Sequence, residues 1–98
     1  MDKSNLWKSM SKISATIITY NEEKNISRCI NSLIGIADEI VVVDSGSKDE
    51  TQNIALKLGA KVIINEFKGH IQQKNFAITQ TSNDWVISLD ADEALSNE

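Results

Sequence analysis

A chain of 98 residues has room for one domain, and 41% apolar with 24% charged residues fits a globular protein rather than a disordered one. A net charge of −4 argues against a protein that binds nucleic acid mainly by charge. The single cysteine, Cys29, excludes an internal disulfide, and no apolar run approaches the roughly 20 residues of a membrane span.

Residues 1–12 carry three lysines and no apolar stretch like that of a signal peptide. They read as a loose extension, and the expected compartment is the cytoplasm. Ile13–Thr19 (ISATIIT) is apolar and β-branched, as a buried strand is. After Tyr20-Asn21-Glu22-Glu23, the residues Ile26, Cys29, Ile30, Leu33 and Ile34 recur on one helical face. Asn21 is the expected N-cap, with Glu22 and Glu23 at the positive end of the helix dipole.

Glu39–Val43 (EIVVV) predicts a second strand, closed by Asp44-Ser45-Gly46-Ser47. Ser47 and Glu50 have the spacing of a capping box for a helix that turns Ile54, Ala55 and Leu58 inward and stops at Gly59. Lys61–Ile64 (KVII) is a third strand and Phe67–His70 a loop. Ile71–Gln80 predicts a helix with Ile71, Ala77 and Ile78 inward and Phe76 beside them. Trp85–Leu89 (WVISL) is a fourth strand, with Trp85 expected to cover the sheet, and it runs into Asp90-Ala91-Asp92-Glu93.

Apolar strands alternating with helices imply an α/β fold with a parallel sheet covered on both faces. The commonest topology is a half-Rossmann strand order, 3-2-1-4, with ligands bound beyond the carboxyl ends of the strands at the switch point. Three polar clusters fall on that rim: Thr19-Tyr20-Asn21-Glu22, Asp44-Ser45-Gly46-Ser47 and Asp90-Ala91-Asp92.

Asp90 and Asp92 can aim at one point if the backbone bends there, and a divalent cation would relieve their repulsion. Carboxylate oxygens suit Mg²⁺ or Mn²⁺ shared with substrate phosphates; the bland reading is a solvated acidic turn. Asp44 stands where a ribose or base contact is expected, but the first loop has no glycine, so NAD and FAD are not expected. Tyr20 offers either a ring for a base to stack on or a packing residue at the sheet edge, with Thr19 a small hydrogen-bonding neighbour. Lys74 could reach a base or phosphates, or could be a solvated helix lysine. His70 reads as an ordinary loop residue, Cys29 as core packing and Glu93 as local structure.

The segments ISATIITYNEEKNISRCINSL, ADEIVVVDSGSKDET, GHIQQKNFAI and WVISLDADE, in that order, resemble the N-terminal half of a family 2 glycosyltransferase. The likeness covers residues 13–98 and is nearest to the bacterial branch of lipopolysaccharide core biosynthesis. It implies a GT-A fold, a nucleotide-diphosphate sugar donor, a divalent metal (Mg²⁺ or Mn²⁺) and inversion at the anomeric carbon. It also implies a glycan or lipopolysaccharide-type acceptor and a parent enzyme at the cytoplasmic face of the inner membrane.

By position, Thr19, Tyr20 and Glu22 fall in the nucleoside loop and Asp44 matches the base- or ribose-contacting aspartate. Lys74 stands where the family usually has arginine, and Asp90 and Asp92 match the D-x-D pair, with Asp92 the expected direct metal ligand. Ser45 replaces a second aspartate common in the family. The family continues well past D-x-D, so the general base is expected beyond residue 98 and the chain alone is expected to lack turnover.

Two readings from other classes remain: a receiver-like Mg²⁺-binding signalling domain, and a non-catalytic interaction module. The first would need a phosphoacceptor aspartate after the third strand, where Ile64-Asn65-Glu66 stands. Trp85–Leu89 should also form an exposed sheet edge able to pair with a second copy of the chain.

Overall fold

The computed structural model describes residues 12–94. Apart from Lys12, the extension read over residues 1–12 lies outside them, as do residues 95–98. Four strands alternate with three helices: β1 (Ile13–Thr19), α1 (Ile26–Leu33), β2 (Glu39–Asp44), α2 (Thr51–Lys57), β3 (Lys61–Ile64), α3 (His70–Thr79) and β4 (Trp85–Asp90). All pairings are parallel and the order is β3-β2-β1-β4, as the sequence predicts. The receiver order places β1 between β2 and β3, so this sheet departs from it.

Strand alternation sorts the core into two layers. Ala15 and Ile17 of β1 and Val42 of β2 pack with Ile26, Cys29, Ile30 and Leu33 of α1 and Ala55 of α2. Ile18, Val41 and Val43 point the other way, onto Ala77 and Phe76 of α3. The helices therefore cover both faces, and the two central strands are apolar on both sides because both sides are buried.

The differences from sequence expectation lie at helix ends and on α3. Asn21 does not cap α1, which begins five residues later after a turn closed by Glu22. Its side chain instead accepts from the Lys48 amide at 2.8 Å. Ser47 and Glu50 form no capping box: the Ser47 hydroxyl donates to Asp44 Oδ1, and Glu50 accepts from Asn53. Gly59 does end α2, at φ +92°, a backbone setting that needs glycine.

On α3 the inward residues are Gln73, Ala77 and Phe76, whereas Ile71 is 73% exposed and Ile78 lies outside as well. Trp85 does not cover the sheet; it is 66% exposed. β2 and β4 each run one residue further than predicted, so that Asp44 and Asp90 are the last residues of their strands.

At the opposite rim Glu39 ties three segments together. It accepts from the Ser14 hydroxyl at 2.8 Å and from the Ser82 amide at 2.9 Å. The Ser82 amide, then the Ser14 hydroxyl, hold its carboxyl below the usual range. A lowered carboxyl contributes stability above its unfolded value of 4.5, and that contribution is lost as pH falls. Glu39→Gln should thus be less stable than the parent at about pH 7, and the gap should narrow at about pH 3.5. Urea unfolding at the two pH values measures it; a gap that is constant with pH contradicts the assignment.

Candidate functional site

β1, β2 and β4 end side by side. Thr19 stands opposite Asp44 and Ile18 opposite Asp90, so the three polar clusters after these strands meet on one rim. An open cleft of about 540 Å³ lies there. One wall is Thr19, Tyr20 and Glu22, and another is Asp90, Ala91 and Asp92. Phe67, His70, Gln73 and Ser45 complete it.

The Thr19–Glu22 wall is rigid because two loops are stapled together. Asn21, at φ +51°, adopts the left-handed setting that asparagine tolerates. Its amide donates to Ser47 Oγ at 2.7 Å, the Glu22 amide to Thr51 Oγ1 at 2.8 Å and the Ser45 amide to the Thr19 carbonyl at 3.0 Å. Tyr20 is left 52% exposed at the cleft, which suits a stacking surface rather than a packed edge residue.

The Asp90–Asp92 turn is pinned as well. The Asp90 amide donates to Glu93 Oε1 at 2.7 Å, the Glu93 amide to the Asp90 carbonyl at 2.9 Å and the Ala91 amide to the Ile18 carbonyl at 3.2 Å. Arg28 of α1 donates to the Asp92 carbonyl at 3.0 Å. Glu93 is thus local structure. Cys29 lies in the core beneath, where burial first, and then the Glu93 carboxylate, push its thiol up to about 11. A neutral, buried thiol of this kind is packing, not a nucleophile.

Two oxygens at the rim, Asp90 Oδ1 and Thr19 Oγ1, are shut off from solvent and have no hydrogen-bond partner among the described residues. Such atoms cost free energy unless a ligand satisfies them. Asp92 is exposed at the cleft. No cluster of three or more His, Cys, Asp or Glu suited to a metal occurs among the described residues. Asp90 and Asp92, both at the cleft, are oxygen donors of the kind that would hold a hard divalent cation whose other ligands are phosphates and water.

Two of the predicted site residues sit elsewhere than expected. Asp44 is fully buried and does not line the cleft. Its carboxylate accepts from the Gly46 and Ser47 amides, the Ser47 hydroxyl and Gln52 Nε2 at 2.5–2.9 Å. It shapes the β2 loop from within. Lys74 is also not a lining residue, but its Nζ lies 3.9 Å from Asp90 Oδ1.

The cleft includes residues not singled out from sequence. Gln73 is buried and bonds Ser45, Asn65 and the Asn65 carbonyl, joining α3 to the ends of β2 and β3. The His70 ring meets Phe67 edge to face at 5.2 Å. The sequence offered for Gln73 only a polar residue on a helix that lacks a clean apolar face.

Known proteins share this architecture. Residues 14–98 match the family model "Glycosyl transferase family 2". An uncharacterized glycosyltransferase of Rickettsia typhi is 54% identical over 89 residues, covering 91% of this chain and 30% of that protein. A lipopolysaccharide core biosynthesis glycosyltransferase of Rhizobium meliloti is 41% identical over 88 residues, covering 85% of this chain and 32% of that one. The chain thus spans about a third of the length of these relatives.

Glucosyl-3-phosphoglycerate synthase of Mycobacterium tuberculosis, solved with UDP, superposes with a TM-score of 0.77 at 30% identity, over 88% of this chain and 35% of that one. The same enzyme solved with Mn²⁺, UDP and glucosyl-3-phosphoglycerate gives 0.75 at 29% identity, over 86% of this chain and 34% of that one. A parallel sheet in the order 3-2-1-4, a cleft at its carboxyl rim and a family match over residues 14–98 agree: the chain belongs to glycosyl transferase family 2.

Proposed function

We propose that residues 13–98 form the donor site of a metal-dependent, inverting hexosyltransferase that uses a nucleotide-diphosphate sugar, with UDP as the nucleotide. The likeness to the lipopolysaccharide core biosynthesis glycosyltransferase of Rhizobium supports a glycan or lipopolysaccharide-type acceptor, and the likeness to the Mycobacterium enzyme solved with UDP and Mn²⁺ supports that nucleotide and metal. The observation that carries the reading is the pair of unsatisfied buried oxygens, on Asp90 and Thr19, at the cleft.

In this reading Tyr20 stacks on the base, while Thr19 and Glu22 offer hydrogen bonds to the nucleoside. Asp44 acts indirectly, by holding the loop that carries Ser45 and Ser47 against the nucleoside wall. Asp92 and Asp90 hold the divalent cation. A cation at that point offsets charge on the departing diphosphate. Inversion further requires a base within hydrogen-bond reach of the acceptor hydroxyl. UDP with Mn²⁺ should raise the melting temperature; at 100 times Kd the gain is about 2.7 kcal/mol. An unchanged melting temperature at millimolar UDP plus Mn²⁺ would count against the site.

The reading extends to assembly through β4. Its outer edge has no strand beside it among the described residues. Such an edge, with apolar residues and no charge between Trp85 and Leu89, invites pairing with a second chain. The other edge, β3, is shorter and carries Lys61. Self-association at micromolar concentration is the expected outcome, weakened by Val86→Lys. Sedimentation showing a monomer at high concentration would contradict it.

A further inference from the structure

Asp90 Oδ1 accepts no hydrogen bond, yet it is not without a counter-charge. Lys74 Nζ lies 3.9 Å away, beyond hydrogen-bond range but within an ion pair, and both side chains are about half exposed. The two partners differ in freedom. The Asp90 backbone is fixed by Glu93, which accepts from its amide, and its neighbour Ala91 is bonded to Ile18. Lys74 reaches from α3 on a flexible four-carbon stem. The carboxylate stays; the ammonium can leave.

Resting on the donor-site reading, we propose that Lys74 is a resident counter-cation. It offsets the charge of Asp90 while the cleft is empty and gives up that place when a divalent cation binds. Its ammonium then turns to the diphosphate. Asp90 and Asp92 together carry two negative charges, and Lys74 offsets one of them. A divalent cation arriving alone must therefore displace a cation that has gained no new partner. One arriving with a diphosphate supplies that partner. Lys74 in this way opposes the bare metal and favours the metal with its nucleotide, which is a coupling between two ligands.

The test is Mn²⁺ uptake by the chain without nucleotide, followed by the electron paramagnetic resonance signal of free Mn²⁺. Lys74→Gln and Lys74→Ala, which remove the charge from a half-exposed side chain, should each bind Mn²⁺ about three- to fivefold more tightly than the parent. Lys74→Arg, which keeps the charge, should not. In Lys74→Gln the factor by which Mn²⁺ strengthens UDP binding should shrink. Equal or weaker Mn²⁺ uptake by both charge-removing variants, or no measurable uptake by either, overturns the proposal. A parent chain that takes up Mn²⁺ but never binds UDP defeats the donor-site reading instead, and the comparison of Mn²⁺ affinities still decides the counter-cation role of Lys74.

Discussion

Asp44→Ala is expected to destabilise the chain by about 3 kcal/mol, a fall in melting temperature of more than about 10 °C for a domain of this size. Asp44 is buried at the end of β2 and takes three hydrogen bonds from the loop that follows and a fourth from Gln52 of α2. Removing it strands two amides, a hydroxyl and the Gln52 amide group. Some of these can turn to water, because residues 45–47 are only half buried, and this keeps the cost well below four full bonds. The damage should spread to the cleft, since Ser47 also receives the Asn21 amide and so holds the Tyr20 wall. Thermal unfolding measures the first effect and UDP titration the second. A variant with parental stability that fails to bind UDP would show that Asp44 touches the ligand after all.

Asp92→Asn should lower Mn²⁺-dependent UDP binding by about tenfold or more and should not weaken metal-free UDP binding, since it removes a charge that repels the diphosphate. The Asp92 side chain is exposed at the cleft, while its carbonyl is held by Arg28. The substitution therefore removes charge without disturbing the turn. Equal losses with and without metal would make Asp92 a nucleotide contact or a structural residue, and would leave Asp90 as the only carboxylate of the pair facing the cation.

The strands were legible because each is a short apolar run, and in the two central ones burial on both faces demands that composition. The carboxyl-end rule then brought Thr19, Tyr20, Glu22, Asp90 and Asp92 to one cleft. The starts of α1 and α2 were not legible, whereas that of α3 falls one residue from its predicted place. Asn21 and Ser47 have the chemistry of local caps, but each bonds across to the other's loop, some 26 residues away. A local rule cannot see a partner that only the fold supplies. Asp44 stands on the rim as its position predicts, while the bonds its carboxylate accepts from the loop it precedes could not be read from sequence. Phe67 enters the cleft from the loop before α3, and His70 and Gln73 from α3 itself, whose inward face is Gln73, Phe76 and Ala77 rather than an apolar stripe.

The central claim is that the rim of β1 and β4 binds a nucleoside diphosphate together with a divalent cation. Calorimetric titration of the chain with UDP, once with Mn²⁺ and once with the metal chelated, tests it most directly. The account predicts saturable binding with Mn²⁺ that weakens about tenfold or more on chelation, because Lys74 offsets only one of the two carboxylate charges and the other still faces the diphosphate. Equal affinity in both titrations, or no heat of binding in either, would contradict it.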